Sequence, residues 1–283
     1  MHPQKMSGDQ VADYFKRLHW HTAKGEGEDR LSPVIHSGAP KWVNRFVDYA
    51  HRLGMERAFG YLDRQWGSLN GRTVLDLGCG VGRWVEQYAR RGAHVTGIDI
   101  SEDAIRILRK QFPYHDFVCQ DLRGLMLPSR LYDVVNSVTV IQHLTPDDQH
   151  AVLCAARQYL KENGYLVLLE NVSDFRSPHV FAHTREGWED VAGCAGLRLC
   201  CHWGSNYEVL FRVSKCLAAP LFGARQDPAV RGSEPAGRAS RGLLGRALSM
   251  LKSSVALASF PVEWGCHKLS LAEPTHAVLI FRA

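Results

Sequence analysis

Three glycines and two carboxylates carry the clearest chemical signal in this chain. Gly78, Gly80 and Gly82 alternate through the run Val74-Leu75-Asp76-Leu77-Gly78-Cys79-Gly80-Val81-Gly82-Arg83. An apolar strand that runs into such glycines can turn sharply and approach a ligand closely, because no Cβ stands in the way. A helix that follows aims its first amide groups at whatever the loop holds. Asp99 ends the next apolar run, His94-Val95-Thr96-Gly97-Ile98. A carboxylate about 20 residues beyond such a loop is placed to accept hydrogen bonds from a ribose. A nucleoside-containing cofactor follows. It is not a dinucleotide by the usual fingerprint, since the third glycine of G-x-G-x-x-G falls on Arg83. Asp76 would also repel a pyrophosphate, whereas it suits a ligand that carries an ammonium group.

The pattern Asp76-x-Gly78-x-Gly80-x-Gly82, with Asp99 downstream, resembles motif I of the class I S-adenosylmethionine-dependent methyltransferases. The cofactor of that family has an amino-acid end and a ribose but no phosphate. A glycine loop alone would serve another doubly wound fold equally well; the two aspartates at matching spacing separate the readings. The resemblance covers roughly residues 71–203. It implies a Rossmann-like α/β fold, a seven-stranded and mostly parallel sheet with helices on both faces, and S-adenosyl-L-methionine as cofactor. In that family an aspartate after the third strand contacts the adenine amino group and the next apolar residue lies against the ring, which Asp121 and Leu122 match. Asp121 could otherwise only cap a turn. Cofactor contacts are therefore expected from Asp76, Gly78, Cys79, Gly80, Gly82 and Arg83, then from Asp99, Ile100, Asp121 and Leu122, and finally from Ser137, Val138 and Gln142.

The segment Val138-Thr139-Val140-Ile141-Gln142-His143-Leu144 follows a strand, where doubly wound sheets place their ligands. It resembles the segment after strand four in small-molecule methyltransferases such as those of ubiquinone biosynthesis, where a histidine often occupies this place. Methyl transfer needs a lone pair held near the methyl carbon, and orientation supplies much of the rate. A hydroxyl acceptor also gains from a general base, worth about 100- to 10,000-fold. His143 is the candidate base, because an imidazole titrates in the useful range. Its competing role is to orient a loop or touch the cofactor. Glu170 and His183 are second choices.

The elements that must position these groups can be read along the chain. Ser7 and Gln10 form a capping box ahead of Val11, Tyr14, Phe15 and Leu18. His19, Trp20 and His21 close that helix, as dipole partners and core packing or as a substrate-facing cluster. A second helix starts at Pro40 and stops at Gly54, and a third passes through Ala58, Tyr61, Leu62 and Trp66. From residue 71 strands and helices alternate, which argues for a parallel sheet with right-handed crossovers. Ser101, Thr145 and Thr184 cap helices, Pro146 takes a first helical position and Gly164 ends a helix before a strand Tyr165–Leu169. Leu197–Cys201 reads as strand six, and His276–Arg282 as a final antiparallel strand that closes the sheet.

Four regions are expected: an N-terminal helical lid at 1–70, the cofactor-binding core at 71–205, a helical insert at 206–270 with a mobile linker at 222–241, and the final strand in 271–283. The lid and the insert would wall the acceptor pocket. Lysine and arginine number 34 against 29 aspartates and glutamates, a balance too slight and too spread to imply a nucleic-acid partner. Eight cysteines show no C-x-x-C pair or zinc spacing, so no metal is expected and reduced thiols of a cytoplasmic protein are the reading. No apolar run reaches the length of a membrane span. The DNA-base motif N/D-P-P-Y is absent, because Asn136 precedes Ser137. A small-molecule or sugar hydroxyl is the expected acceptor. The alternative is a protein or RNA methyltransferase, or a non-catalytic cofactor binder, that docks through a basic helix near 241–252.

Overall fold

In the computed structural model of the chain, residues 5–17, 31, 41–128, 131–173, 177–207, 260–269 and 273–283 are described. Its centre is a seven-stranded sheet. β1 (Thr73–Leu77), β2 (His94–Asp99), β3 (Asp116–Cys119), β4 (Tyr132–Val138) and β5 (Leu160–Asn171) pair in parallel, while β7 (His276–Arg282) runs antiparallel to both β5 and β6 (Arg198–Asn206). The order across the sheet is β3-β2-β1-β4-β5-β7-β6. Successive strands depart from β1 in opposite directions, so the carboxyl ends of β1 and β4 border the crevice where such sheets bind ligands.

Period-two alternation sends neighbouring side chains to opposite faces. Val74, Val95, Val167 and Ile280 pack on one face with Met55, Phe59 and Leu62 of α2 (Lys41–Trp66), Val85 and Tyr88 of α3 (Arg83–Ala89), and Ile105 and Leu108 of α4 (Glu102–Gln111). Leu75, Leu166, Leu168 and Leu279 pack on the other with Leu153 of α5 (Pro146–Gln158) and Trp188 of α6 (Arg185–Cys194). Both faces of the central strands are covered, which accounts for their near-continuous apolar runs. The helix starts are as the sequence implies: Ser101, Thr145 and Thr184 accept from the amides of Ala104, Asp148 and Gly187. Ahead of the sheet, α1 (Gly8–Arg17) opens with the capping box, Ser7 N donating to Gln10 Oε1 at 2.8 Å and Gln10 N to Ser7 Oγ at 3.3 Å.

Three expectations are corrected. Gly54 does not stop a helix, since α2 runs unbroken through it. A Cβ there would stand 2.5 Å from Ser205 Oγ, so the glycine admits β6 against the helix. Gly164 does not end α5 either. The helix closes at Tyr159, whose amide reaches Ala155 and Ala156, and β5 has already begun at Leu160 opposite Tyr132. The final strand does not close the sheet, because β7 lies between β5 and β6 and leaves β6 at the edge. His19, Trp20, His21, the linker 222–241, the helices expected around it and the basic segment 241–252 lie outside the described residues.

Candidate active site

The β1–α3 loop is built on backbone that favours glycine. Gly78, Gly80 and Gly82 have φ of 69°, 50° and 78°, in the left-handed region. At Gly78 the need is also steric, since a Cβ would lie 2.4 Å from a methyl of Val140. Asp99 locks the loop to the end of β2: its Oδ2 accepts from Gly80 N at 2.9 Å and its Oδ1 from Ser101 N at 2.8 Å. Burial nonetheless holds its carboxyl above the ordinary value, the amide bonds only partly opposing this.

Asp76 lies beneath this loop, 1% exposed. Its Oδ1 accepts from Asn136 Nδ2 at 2.7 Å, and Oδ2 is buried with no hydrogen-bond partner among the described residues. Burial pushes its carboxyl up to about 7; Asn136 and Arg83 oppose the shift and Asp99 adds to it. An orphaned acidic oxygen of this kind is costly unless a cation or donor satisfies it.

A cavity of about 190 Å³ opens over the loop, at the carboxyl ends of β1, β2 and β4. It brings together most of the residues singled out from the sequence. Gly78, Cys79, Gly80 and Arg83 line it from the loop, Asp99 and Ile100 from β2, Asp121 and Leu122 from the turn after β3, and Val138 and His143 from β4 and the segment beyond it. Arg83 is held by Asp48 of α2, its Nε donating at 2.9 Å. At Asp121 burial alone would raise the carboxyl, but the side chain and amide of Arg123 outweigh it and hold it below its ordinary value.

Six expected site residues do not reach the cavity wall. Asp76 is beneath the loop, as described. Gly82 faces the other way, where a Cβ would meet Leu108 of α4 at 2.6 Å, so its role is packing. Ser137 and Gln142 are buried and bonded inward. Ser137 Oγ donates to Glu170 Oε1 at 3.4 Å, and Gln142 Oε1 accepts from Asn171 N at 2.7 Å. Glu170 is wholly buried and accepts from four donors behind the cavity. Burial pushes its carboxyl up to about 8 against the pull of those donors. His183 sits by α6, its Nε2 2.7 Å from Gln149 Oε1 and its ring edge-on to Trp188.

His143 does face the cavity, in a turn of 3₁₀ helix, Ile141–His143. Its Nδ1 is 2.8 Å from the carbonyl oxygen of His179, which fixes the proton on Nδ1 and leaves Nε2 with a lone pair. Among the described residues, Nε2 has one hydrogen-bonding neighbour, Gln142 Nε2 at 3.4 Å, whose orientation follows from the Asn171 bond to its Oε1. Burial brings the His143 imidazole down to about 4, below the range expected of it from the sequence, so it is neutral at physiological pH and holds a proton weakly. Its ring packs against Phe15 at 4.8 Å and stacks on His179 at 5.4 Å.

The wall contributed by α1 was not singled out residue by residue from the sequence. Val11, Tyr14 and Phe15 read there as a helical apolar face, and that face turns onto the cavity. The helix is tied down by Met6 N to Pro178 O at 2.9 Å, by Lys5 Nζ to the carbonyls of Ser177 and Val180, and by Asp9 to Arg123 at 2.8 Å. Thr139 and His179 also line the cavity.

With this geometry in view, likenesses to known proteins are informative. A family model described as "Methyltransferase domain" matches residues 74–164. The ubiquinone biosynthesis O-methyltransferase of Bordetella parapertussis is 31% identical over 183 residues, covering 62% of this chain and 70% of that one. Its counterpart in Idiomarina loihiensis is 30% identical over 148 residues, 49% of this chain and 59% of that one, and in Alkalilimnicola ehrlichii the share of the relative is 44%. The chain thus spans about half the length of these last two relatives. Among solved structures, a magnesium protoporphyrin IX methyltransferase from Synechocystis with bound SAM aligns with a TM-score of 0.55 at 22% identity, over 73% of this chain and 93% of that one. That likeness bears on the fold.

Proposed function

Because the chain belongs to the class I S-adenosylmethionine-dependent methyltransferases, we propose that it transfers a methyl group to a hydroxyl of a small molecule or sugar, with His143 as general base. The observation that carries this reading is the His143 ring, which lines the same cavity as the glycine loop with Nδ1 bonded to a carbonyl, so that Nε2 carries the lone pair. The curated relatives, named for O-methylation of a small molecule, support it.

The residues present fit a cationic nucleoside. Three carboxylates, Asp76, Asp99 and Asp121, gather at or beneath the cavity, two with carboxyls raised by burial and one of these with an orphaned oxygen. Asp99 would hold the ribose hydroxyls, Asp121 and Leu122 the adenine, and Asp76 the ammonium end. When bound, the cofactor supplies an electrophilic methyl group on a positively charged sulfur. The chain's own residues do the remainder. Nε2 of His143 takes the proton of the acceptor hydroxyl, and the Nδ1–H bond to the His179 carbonyl stabilises the imidazolium that results. Phe15 of α1 packs on the His143 ring and covers it from that side.

The test is turnover by the purified full chain against a panel of phenols and sugars, read as formation of the demethylated cofactor and of an ether in the product. His143→Asn is expected to lower turnover by about 100- to 10,000-fold and to leave affinity for the demethylated cofactor nearly unchanged. Undiminished turnover in that variant would remove His143 as the base.

A further inference from the structure

The turn that joins β4 to α5 is held in an unusual way. Thr139 has φ 55° and is the one non-glycine residue of positive φ among the described residues. A β-branched residue in the left-handed region persists only where its surroundings over-determine it, and such residues cluster at functional sites. The amides of the next three residues all turn inward onto one side chain. Glu170 Oε1 accepts from Val140 N at 3.3 Å and Ile141 N at 3.0 Å, and Oε2 accepts from Gln142 N at 3.3 Å. Ser137 Oγ donates to Oε1 as well, at 3.4 Å. Consecutive amides converging in this manner form an anion-binding nest. Here the chain fills the nest with its own side-chain carboxyl, fully buried on β5.

The other side of the same turn faces the cavity, through Thr139, Val140 and His143. The Thr139 amide is tied to Leu169 O at 2.7 Å, while the residue is half-buried and lines the cavity. Glu170 cannot serve as a base on an acceptor, since both oxygens are engaged by donors and neither lines the cavity.

We propose that Glu170 is a positioning residue: by occupying the nest of residues 140–142 it holds Thr139 in its left-handed conformation, so that the Thr139 hydroxyl and His143 Nε2 are presented to the acceptor hydroxyl as one unit. Thr139 donates its hydroxyl hydrogen to a lone pair of the acceptor oxygen, and the acceptor's own proton goes to Nε2. This makes Thr139 the residue that selects a hydroxyl acceptor and sets its orientation. The inference rests on the reading of the site as an O-methyltransferase centre.

The experiment uses four variants of the full chain. Glu170→Gln keeps the side-chain shape but replaces one acceptor oxygen with an NH₂ group that must face a donor. It is expected to shift the His143 imidazole ¹⁵N resonances in the protein without substrate, and to lower kcat by about tenfold or more, with affinity for the demethylated cofactor changed by less than about threefold. Glu170→Asp, which retains both oxygens, should recover part of the imidazole signature. Thr139→Gly retains the backbone conformation without the hydroxyl and should lower kcat/KM for the acceptor about tenfold, whereas Thr139→Ser should restore it to within about threefold. A folded Glu170→Gln protein with unchanged imidazole resonances and turnover overturns the proposal. Should Glu170→Gln not fold, the threonine pair decides, and equal kcat/KM in Thr139→Gly and the parent chain overturns it. If no hydroxyl compound is methylated by the parent chain, the functional reading fails by itself. The imidazole resonances of the two glutamate variants still test the positioning.

Discussion

Gly78→Ala is the substitution whose outcome follows most directly from the geometry. Two penalties are separable. Gly78 has φ 69°, and an L-residue in the left-handed region costs about 1–2 kcal/mol. The new Cβ would also stand 2.4 Å and 2.7 Å from the two γ-methyls of Val140. Overpacking of this kind typically costs about 1–3 kcal/mol, so the substitution should destabilise the protein by about 2–5 kcal/mol in all. Val140→Ala alone removes two half-buried methyl groups, which costs on the order of 1 kcal/mol. In the double variant the γ-methyls are gone, and the nearest atom is the Val140 Cβ at 3.1 Å. The steric penalty largely disappears while the backbone penalty stays. Urea unfolding of the parent, both singles and the double should therefore give a favourable coupling of about 1–3 kcal/mol at constant m-value. Additivity within about 0.5 kcal/mol would refute the claim that the glycine is required by the approach of Val140.

Other expectations follow from particular side chains. Asp76, with its carboxyl at about 7, binds a proton more tightly in the folded chain than in the unfolded one. Its contribution to stability is thus present in acid and is lost as pH rises from about 4 to about 7. A ligand ammonium favours the ionised form. Calorimetry should then show affinity for the demethylated cofactor rising by at most about tenfold per pH unit below 7 and levelling above it. Asp76→Asn should abolish that slope, and a slope that survives would assign it elsewhere. Gly54→Ala would gain about 1 kcal/mol in an isolated helix, yet here its Cβ would meet Ser205 at 2.5 Å and Val278 at 3.1 Å. The thermal midpoint should fall, and a rise would show that α2 can move off β6 and β7 at little cost.

The glycine loop, the capping residues and the succession of parallel strands were legible because each depends on a local requirement. Positive φ at Gly78, Gly80 and Gly82, a hydroxyl before a helix and a run of apolar residues are written in consecutive positions. What escaped depends on partners far away in the chain. Gly54 has the residue type of a helix stop, and only Ser205, 151 residues on, reveals that it admits a strand. The same holds for Gly82, which stands in the motif beside Gly80 but turns its open side to α4. The apolar face of α1 has the period of any core-facing helix, and nothing in that period tells a core from a cavity.

Carboxylates show the limit of sequence reasoning most clearly, because an acidic residue at the end of a strand can serve a ligand or serve the backbone. Asp99 ends β2, Glu170 is the last residue but one of β5, and both accept from main-chain amides. They differ in what remains. Asp99 still lines the cavity after bonding Gly80 and Ser101, whereas Glu170 is enclosed by the turn it organises. Asp76 differs from both in having an oxygen that nothing among the described residues satisfies. A buried acceptor left open is tolerated when something outside the chain completes it, since otherwise its desolvation is uncompensated. On the proposed function, that asymmetry gives Asp76 to a ligand cation and Glu170 to the His143 turn, although the two residues look alike in one dimension. It also requires the two to respond differently to ligand: cofactor should lower the carboxyl value of Asp76 and leave that of Glu170 nearly unmoved, a contrast that ¹³C titration of the side-chain carboxyls can read.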